Sequence, residues 1–451
     1  MLDSYANKRS GVAPDFSTAR GKRLLIALSG GADSVALAAL LAEARRTWAL
    51  TLFAAHVDHG IRPDSAQDAE FCRELCRRLD IPFLCARLDV PAAARARREG
   101  LESAARRLRY EQLRRFKAEV GADLIALAHH MDDQAETVLM HLGRGAGIGG
   151  AGGMRPLSGD LWRPLLNCRK AALKDYLRNN GFAWREDSTN AVADNPRNAI
   201  RLNVLPAFEQ CYPQCVPSLA RYASTARLED DCLDALTGAF LAQGGGVDGL
   251  CRWLGLEDPP HRAVLRRALI RGCPVQLTWE QVNALEALCG QDRGKLDIGG
   301  GIVAERTGQR LYFVRKRPAP IEPVPLSLKG VTVLPGLGRV TAAPCAPAPI
   351  RDDPARQALN PAALAGAVLR TRRPGDRFRP LGCGDRLLSD YFIDRQVDRP
   401  LRDLTPLVAV GDRVHWVCGY GISREAALVP GCDAVELRYT QAPQSMDWDR
   451  I

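Results

Sequence analysis

Two short stretches of this chain combine residue types that can hold phosphate and move protons. The first, Ser29-Gly30-Gly31-Ala32-Asp33-Ser34, lies between an apolar run (Arg23–Leu28) and an Ala/Leu-rich segment with helical spacing (Ser34–Arg45). Glycine lets a backbone approach an anion with no Cβ in the way. A helix opening near Ser34 directs its unbonded N–H groups and the positive end of its dipole at the same point. Ser29 and Ser34 add hydroxyl donors, so the stretch reads as a phosphate cradle. It lacks the Gly-x4-Gly-Lys-Ser/Thr pattern, which excludes the P-loop of kinases and GTPases. The second stretch, Ala128-His129-His130-Met131-Asp132-Asp133-Gln134-Ala135-Glu136-Thr137, places Asp133 and Glu136 three apart on a predicted helix. Two carboxylates on one face suit binding an ammonium group and accepting its proton. Ordinary acidity at a helix N-terminus accounts for the same pattern.

The elements that must position these residues alternate strand and helix. Leu52–Val57, Phe83–Val90 and Leu124–Ala128 are further apolar runs, with helical spacing over Ser65–Leu79 and Leu101–Val120 between them. This alternation predicts a parallel sheet covered by helices, whose ligand site lies beyond the carboxyl ends of the strands. Both stretches fall at such ends. Gly145-Ala146-Gly147-Ile148-Gly149-Gly150 formally matches a dinucleotide fingerprint, but it follows a helix rather than a strand. The context is wrong for that fingerprint, and a hinge or RNA-facing loop is expected instead. A helix near Arg169–Asn180 follows, then a mainly helical stretch from Pro217 to Gly290, with strand signals around Ile302–Val314. A proline-rich linker (Pro318–Pro325) precedes short, turn-punctuated strands.

The 451 residues carry a net charge of +10 and are 46% hydrophobic and 25% charged. That is a globular composition of two or three domains, with a basic excess that favours a polyanionic partner. The fourteen cysteines are scattered and include no Cys-x-x-Cys, which removes most support for zinc ribbons and iron–sulfur sites and points to reduced thiols. No apolar run near the N-terminus has signal-peptide character, and none elsewhere reaches membrane-spanning length, so a cytoplasmic location is expected.

Further motifs narrow the reading. His56-Val57-Asp58-His59-Gly60-Ile61-Arg62 follows the second strand, and Glu102-Ser103-Ala104-Ala105-Arg106-Arg107-Leu108-Arg109-Tyr110 lies on a helix. Arg163-Pro164-Leu165-Leu166, Glu186-Asp187-Ser188-Thr189-Asn190 and Arg197-Asn198-Ala199-Ile200-Arg201 come later. The Ser29–Ser34 loop resembles the SGGxDS motif of the PP-loop ATP pyrophosphatase superfamily. Jointly, the motifs over Arg23–Pro206 resemble the tRNA(Ile)-lysidine synthase family. Arg370-Thr371-Arg372-Arg373-Pro374-Gly375-Asp376-Arg377-Phe378 with Trp416–Gly419 resembles that family's C-terminal domain.

The resemblance implies an α/β chain. A parallel-sheet PP-loop domain of the adenine nucleotide alpha hydrolase type spans 1–210, a mainly helical tRNA-binding domain 211–320, and a small α+β tRNA-binding domain 321–451. It implies ATP and Mg2+ as cofactors, with free L-lysine and an isoleucine tRNA bearing a CAU anticodon as substrates. The wobble cytidine would be adenylated at its C2 oxygen, releasing pyrophosphate, and the lysine ε-amine would then displace AMP to leave lysidine. Ser29, Gly30, Gly31, Ala32, Asp33, Ser34, His56 and Asp58 would hold the nucleotide. Asp33, Arg106, Asp133, Glu136 and Arg201 would be catalytic, and Asp133, Glu136 and His130 would meet lysine. Asp33 and Asp132 are the expected Mg2+ partners, since magnesium takes few protein carboxylates and relies on the nucleotide phosphates.

Arg109, Arg197, Arg370, Arg372, Arg373 and Arg377 would meet tRNA. Nine basic residues against three acidic between Arg95 and Lys117, and nine arginines against five aspartates over Arg370–Arg402, support an RNA surface. No stable protein partner is implied, and a homodimer is compatible with the sequence. The alternatives are a thiolase sharing the adenylation step, disfavoured by the absence of Cys-x-x-Cys, an amidotransferase, for which no glutaminase part is visible, and an RNA-binding protein without activity, which leaves the loop unexplained. Asp33→Ala or Ser34→Ala should abolish ATP-dependent pyrophosphate release and leave tRNA affinity nearly unchanged. Undiminished release in both variants, measured beside a tRNA-binding titration, would overturn the cradle.

Overall fold

The computed structural model describes residues 12, 14–58, 60, 65–186, 195–247, 251–258, 260–316, 321–347 and 353–441. The chain divides into two compact units, Met1–Cys232 and Leu233–Ile451, so the boundary falls inside the segment expected as the middle domain (211–320), and the rest of that segment shares the second unit with 321–451. Among the described residues no helix is long and apolar enough to cross a membrane.

The first unit alternates as its hydrophobic pattern requires: β1 (Arg23–Ala27), α1 (Ala32–Ala44), β2 (Thr51–Asp58), α2 (Ser65–Arg78), β3 (Phe83–Arg87), α3 (Val90–Arg97), α4 (Leu101–Glu119), β4 (Leu124–Ala126) and α5 (Met131–Gly143). There follow a short α6 (Ile148–Ala151), the hairpin β5 (Leu157–Ser158) and β6 (Leu161–Trp162), α7 (Lys170–Asn179), α8 (Pro196–Ala199), α9 (Leu205–Cys211) and the long α10 (Cys215–Leu241). The sheet order is β3-β2-β1-β4-β6-β5. All neighbours are parallel except the edge hairpin β5–β6. The chain leaves β1 toward β2 and later returns to β1's other side as β4. This makes the β1/β4 boundary the switch point, where a crevice opens at the strand ends.

Leu24, Leu25, Ile26 and Leu28 are fully buried, as expected of a central strand covered on both faces. Helix α1 is buried almost all round, because small residues (Ala36, Ala38, Ala39) let it lie close between the sheet and α7. Leu173, Tyr176 and Leu177 of α7 join the same core, and the Tyr176 hydroxyl donates to Glu43 Oε1 at 2.7 Å. The apolar run after Phe83 ends earlier than its hydrophobicity suggests: Asp89 caps α3, so Val90 opens a helix instead of closing a strand.

In the second unit the expected helices are present as the end of α10, α11 (Arg262–Gly272) and α12 (Trp279–Cys289), and they accompany a five-stranded antiparallel sheet. Its strands are β7 (Gly245–Val247), β8 (Cys251–Gly255), β9 (Arg293–Gly299), β10 (Ile302–Thr307) and β11 (Arg310–Arg315). Only β10 and β11 carry clear period-two patterning, while β7 and β8 are too short and glycine-rich to announce themselves. After them, seven- and four-stranded sheets share a core that includes Leu369, Trp416 and Leu437.

The Arg370–Phe378 motif proves to be a turn built around a buried ion pair. Arg370, 1% exposed, donates from both terminal nitrogens to Asp376 at 2.8 Å and also bonds the carbonyls of Thr371 and Gly411. Arg370 thus braces the interior rather than presenting charge to RNA, which corrects the expectation for it. Arg373, in the same turn, is exposed. Removing one partner of a buried pair strands the other. Asp376→Ala should therefore cost about 3–5 kcal/mol of unfolding free energy in a denaturant titration, whereas Arg373→Ala should stay within about 0.5 kcal/mol. Equal effects of the two would refute the structural role.

Candidate active site

The loop after β1 is held by its own hydroxyls. Ser34 Oγ donates to the Gly31 carbonyl at 2.9 Å and accepts the Ser29 N–H at 3.2 Å. With its proton so used, Ser34 Oγ takes the Ser29 hydroxyl proton at 3.1 Å, and Ser29 Oγ in turn accepts the Gly31 N–H at 3.4 Å. Gly30 has φ +87°, a left-handed conformation costly for any other residue, while a Cβ there would make only ordinary contacts with Phe71, Cys72 and Arg185. Gly31 is the N-cap of α1, so the first-turn N–H groups of that helix lie beyond the loop with no intrahelical acceptor.

His56 braces the residue that precedes this loop, and Asp58 holds the turn after β2. Neither borders the cavity that opens in front of the loop. His56 Nδ1 lies 3.0 Å from the Leu28 carbonyl, which can only accept, so Nδ1 carries the proton. Asp58 accepts the Gly60 N–H at 2.8 Å. His59, Ile61, Arg62 and residues 187–190 lie outside the described residues.

A cavity of about 170 Å³ opens at the switch point, bordered by Ser29, Gly31, Asp33 and Ser34 from the first strand end and by Ala128, His129 and Asp133 from the other, with Arg109 of α4 between. Asp33 Oδ1 is buried and has no hydrogen-bond partner in the protein, as suits an oxygen facing a cation or substrate. Its other oxygen lies 3.5 Å from His130 Nε2.

His130 caps α5. Its Nδ1 accepts the Asp133 N–H at 3.3 Å while the His130 backbone N–H donates to Asp133 Oδ2 at 3.0 Å, a reciprocal capping box that puts the ring proton on Nε2. Burial opposes charging this ring, but the hydrogen bond to Asp33 and the charges of Asp133, Asp33 and Asp132 outweigh it and raise its pKa. His129, next in sequence, goes the opposite way. Burial, reinforced by Arg163, Arg197 and Arg109 against the opposing charge of Asp133, pushes its pKa down to about 4. A neutral imidazole with its buried Nδ1 unpartnered therefore borders the cavity. Sequence reasoning chose His130 and passed over His129, although adjacent residues leaving a strand end point to opposite sides.

Asp133 and Glu136 do share a face, and both are buried. Arg197 donates to Glu136 Oε2 at 2.8 Å and Asp133 Oδ1 at 3.0 Å; Arg201 donates to Glu136 Oε1 at 2.6 Å and Asp133 Oδ1 at 3.2 Å. Arg197 comes from α8, and Arg201 from a π-helical turn, Ile200–Val204. Burial favours the neutral acid at Asp133, but His130, Arg197 and His129 outweigh it and hold the carboxyl below its usual range. Arg197, expected at the RNA, is thus engaged with the carboxylates, and Arg109 with the cavity. Arg106 is exposed, its guanidinium 5.3 Å from the Tyr110 ring centre. Asp132 is occupied elsewhere: it accepts from Arg169 Nε at 3.2 Å and from the Lys170 N–H at 2.8 Å, fastening α5 to the start of α7. That use does not fit the metal role expected of it.

The glycine segment after α5 is pinned rather than hinge-like. Gln134 bonds the carbonyls of Gly152 and Met154 and the Met154 N–H, and Arg227 of α10 donates to the Gly152 carbonyl at 2.7 Å. In the C-terminal part, Arg372 pairs with Asp403, and Arg377 with Asp385 at 2.7 Å.

Residues 6–208 match the family model of the PP-loop domain, and residues 367–439 match that of the TilS substrate C-terminal domain. The first unit is therefore a PP-loop, ATP-binding domain. A tRNA(Ile)-lysidine synthase from Symbiobacterium thermophilum is 36% identical over 435 residues, covering 88% of this chain and 90% of the relative. One from Geobacter sulfurreducens is 33% identical over 437 residues, covering 92% of each. Among solved structures, a U34-tRNA thiolase from Methanococcus maripaludis aligns with a TM-score of 0.41 at 19% identity, over 46% of this chain and 73% of that one. The chain belongs to the tRNA(Ile)-lysidine synthase family, whose members are ATP-dependent ligases.

The arginine clamp makes a prediction for the acidic pair. Asp133→Asn and Glu136→Gln should keep pyrophosphate release but raise the lysine requirement roughly 30- to 1000-fold, the worth of a lost charge-assisted partner. Unchanged lysine dependence in both variants, read from steady-state kinetics, would leave the pair as a brace for α8 alone.

Proposed function

We propose that this chain converts the wobble cytidine of an isoleucine tRNA with a CAU anticodon to lysidine, using ATP and free lysine. The observation that carries the reading is the meeting of the Ser29–Ser34 loop and Asp133, the outer member of the carboxylate pair, across one cavity at the β1/β4 switch point.

In the first step the cytidine C2 oxygen attacks the α-phosphorus of ATP. The bond from that phosphorus to the oxygen bridging to the β-phosphorus breaks, and pyrophosphate departs. The loop N–H groups and the start of α1 would hold the leaving pyrophosphate, and Arg109 would offset charge on the transferring phosphoryl group. Mg2+ would fit at Asp33, whose buried Oδ1 is free of protein partners, and would supply charge neutralisation at the phosphates. In the second step the lysine ε-amine attacks C2, the C2–O bond breaks, and AMP leaves. The amine must first give up a proton, for which Asp133 and Glu136 are the proposed acceptors.

Two carboxylates facing two guanidiniums are formally neutral. A cationic lysine joins them only where Arg197 or Arg201 yields a carboxylate oxygen, so lysine binding and movement of these arginines are coupled by charge. In the C-terminal part, exposed Arg373 is the arginine of its turn left for RNA phosphate. The test is ATP-dependent incorporation of labelled lysine into a minimal isoleucine tRNA with a CAU anticodon. Stoichiometric lysine, AMP and pyrophosphate are expected. Loss of AMP and pyrophosphate formation when ATP and tRNA are both present would overturn the proposal.

A further inference from the structure

The phosphate loop is gripped from a direction that its own hydrogen bonds do not explain. The Gly30 carbonyl accepts the backbone N–H of Arg185 at 2.9 Å, although Arg185 lies in the extended stretch that follows α7. The Arg185 side chain runs back across Gly30, with its Cγ 3.6 Å from where a Gly30 Cβ would stand. The guanidinium ends on α2, donating from Nε to Asp68 Oδ1 at 2.9 Å and from Nη2 to Gln67 Oε1 at 3.3 Å. From the same helix, Phe71 and Cys72 pack under Gly30. Gly30 thus has α2 and the Arg185 stem beside its Cα and the Arg185 N–H on its carbonyl.

A left-handed glycine is the most conformationally free residue of a loop. Its peptide planes set the direction in which the neighbouring N–H groups point, and those N–H groups are what a phosphate would meet. Arg185 borders none of the cavity and so touches no substrate there. We propose that Arg185 is a positioning residue for the phosphate loop: its pairing with Asp68 holds its own backbone N–H on Gly30 and keeps the loop preorganised for the triphosphate. The proposal rests on the reading that this loop binds ATP, and it adds a residue outside the loop that sets the loop's affinity.

The ion pair is partly exposed, with Arg185 at 42% and Asp68 at 18% side-chain exposure, so its bare contribution to stability is small. Its effect should appear in binding rather than in folding. The experiment measures steady-state requirements for ATP, lysine and tRNA, with thermal melting, on the full chain and on Arg185→Ala, Arg185→Lys, Asp68→Ala and the exchanged pair Asp68→Arg with Arg185→Asp. Wild-type ATP-dependent lysine incorporation is the entry condition, and its absence would defeat the ATP reading itself.

Given that activity, Arg185→Ala and Asp68→Ala should each raise the ATP requirement roughly tenfold, the change carried by about one charge-assisted hydrogen bond. The lysine and tRNA requirements should stay within about twofold and the melting temperature within a few degrees. Arg185→Lys, which keeps the charge, and the exchanged pair should recover most of the loss. An unchanged ATP requirement in Arg185→Ala overturns the proposal. A parallel rise in all three requirements with a fall in melting temperature also overturns it, because a merely structural residue behaves that way.

Discussion

The parallel pairing of β1 with β4, in register from Leu24 opposite Leu124 to Ile26 opposite Ala126, joins segments a hundred residues apart. Every functional group described here depends on it. Parallel strands end on the same side, so a phosphate loop leaving β1 and a histidine-carboxylate segment leaving β4 emerge together only if these two strands are neighbours. The apolar residues that bury β1 on both faces therefore determine the relative placement of Asp33 and Asp133. Two helix N-termini, α1 and α5, then converge on one crevice, and anionic ligands are favoured there before any side chain is counted.

Electrostatics set the roles of groups that look alike in sequence. His129 and His130 are adjacent, yet the pKa of one is lowered and that of the other raised. Three carboxylates around His130 outweigh its burial, whereas three arginines around His129 reinforce it. Glu136 is almost wholly buried and is paired by arginines that arrive from α8 and the turn after it. Breaking such a pair costs more than forming it returns, because the remaining charge has no water to turn to. The cluster is consequently stable when complete.

The same logic sorts the C-terminal arginines. A run of arginines and aspartates reads as an RNA surface or as a web of ion pairs, and the fold commits three of its arginines to ion pairs. Arg370 is buried against Asp376, Arg372 and Arg377 are paired with aspartates, and Arg373 is left facing solvent. A turn held by an internal ion pair can afford an exposed charge at its tip.

The amino-acid order alone determined the alternating first unit, the phosphate loop, the carboxylate pair on one helical face and the family. These depend on local periodicity, glycine placement and short spacings, which a linear chain displays directly. It also determined that Arg197 and Arg201 lie near enough to act together. Tertiary structure decided what they act on, since a π-helical turn carries Arg201 to carboxylates sixty-five residues earlier in the chain. It decided that Asp132 serves α7, that His129 rather than His130 borders the cavity, and that Arg370 is internal. It also decided that short strands without their own pattern complete the sheet beside α11 and α12. Each of these outcomes depends on which partner arrives across space, and burial and charge pairing are properties of that arrival rather than of the order of residues.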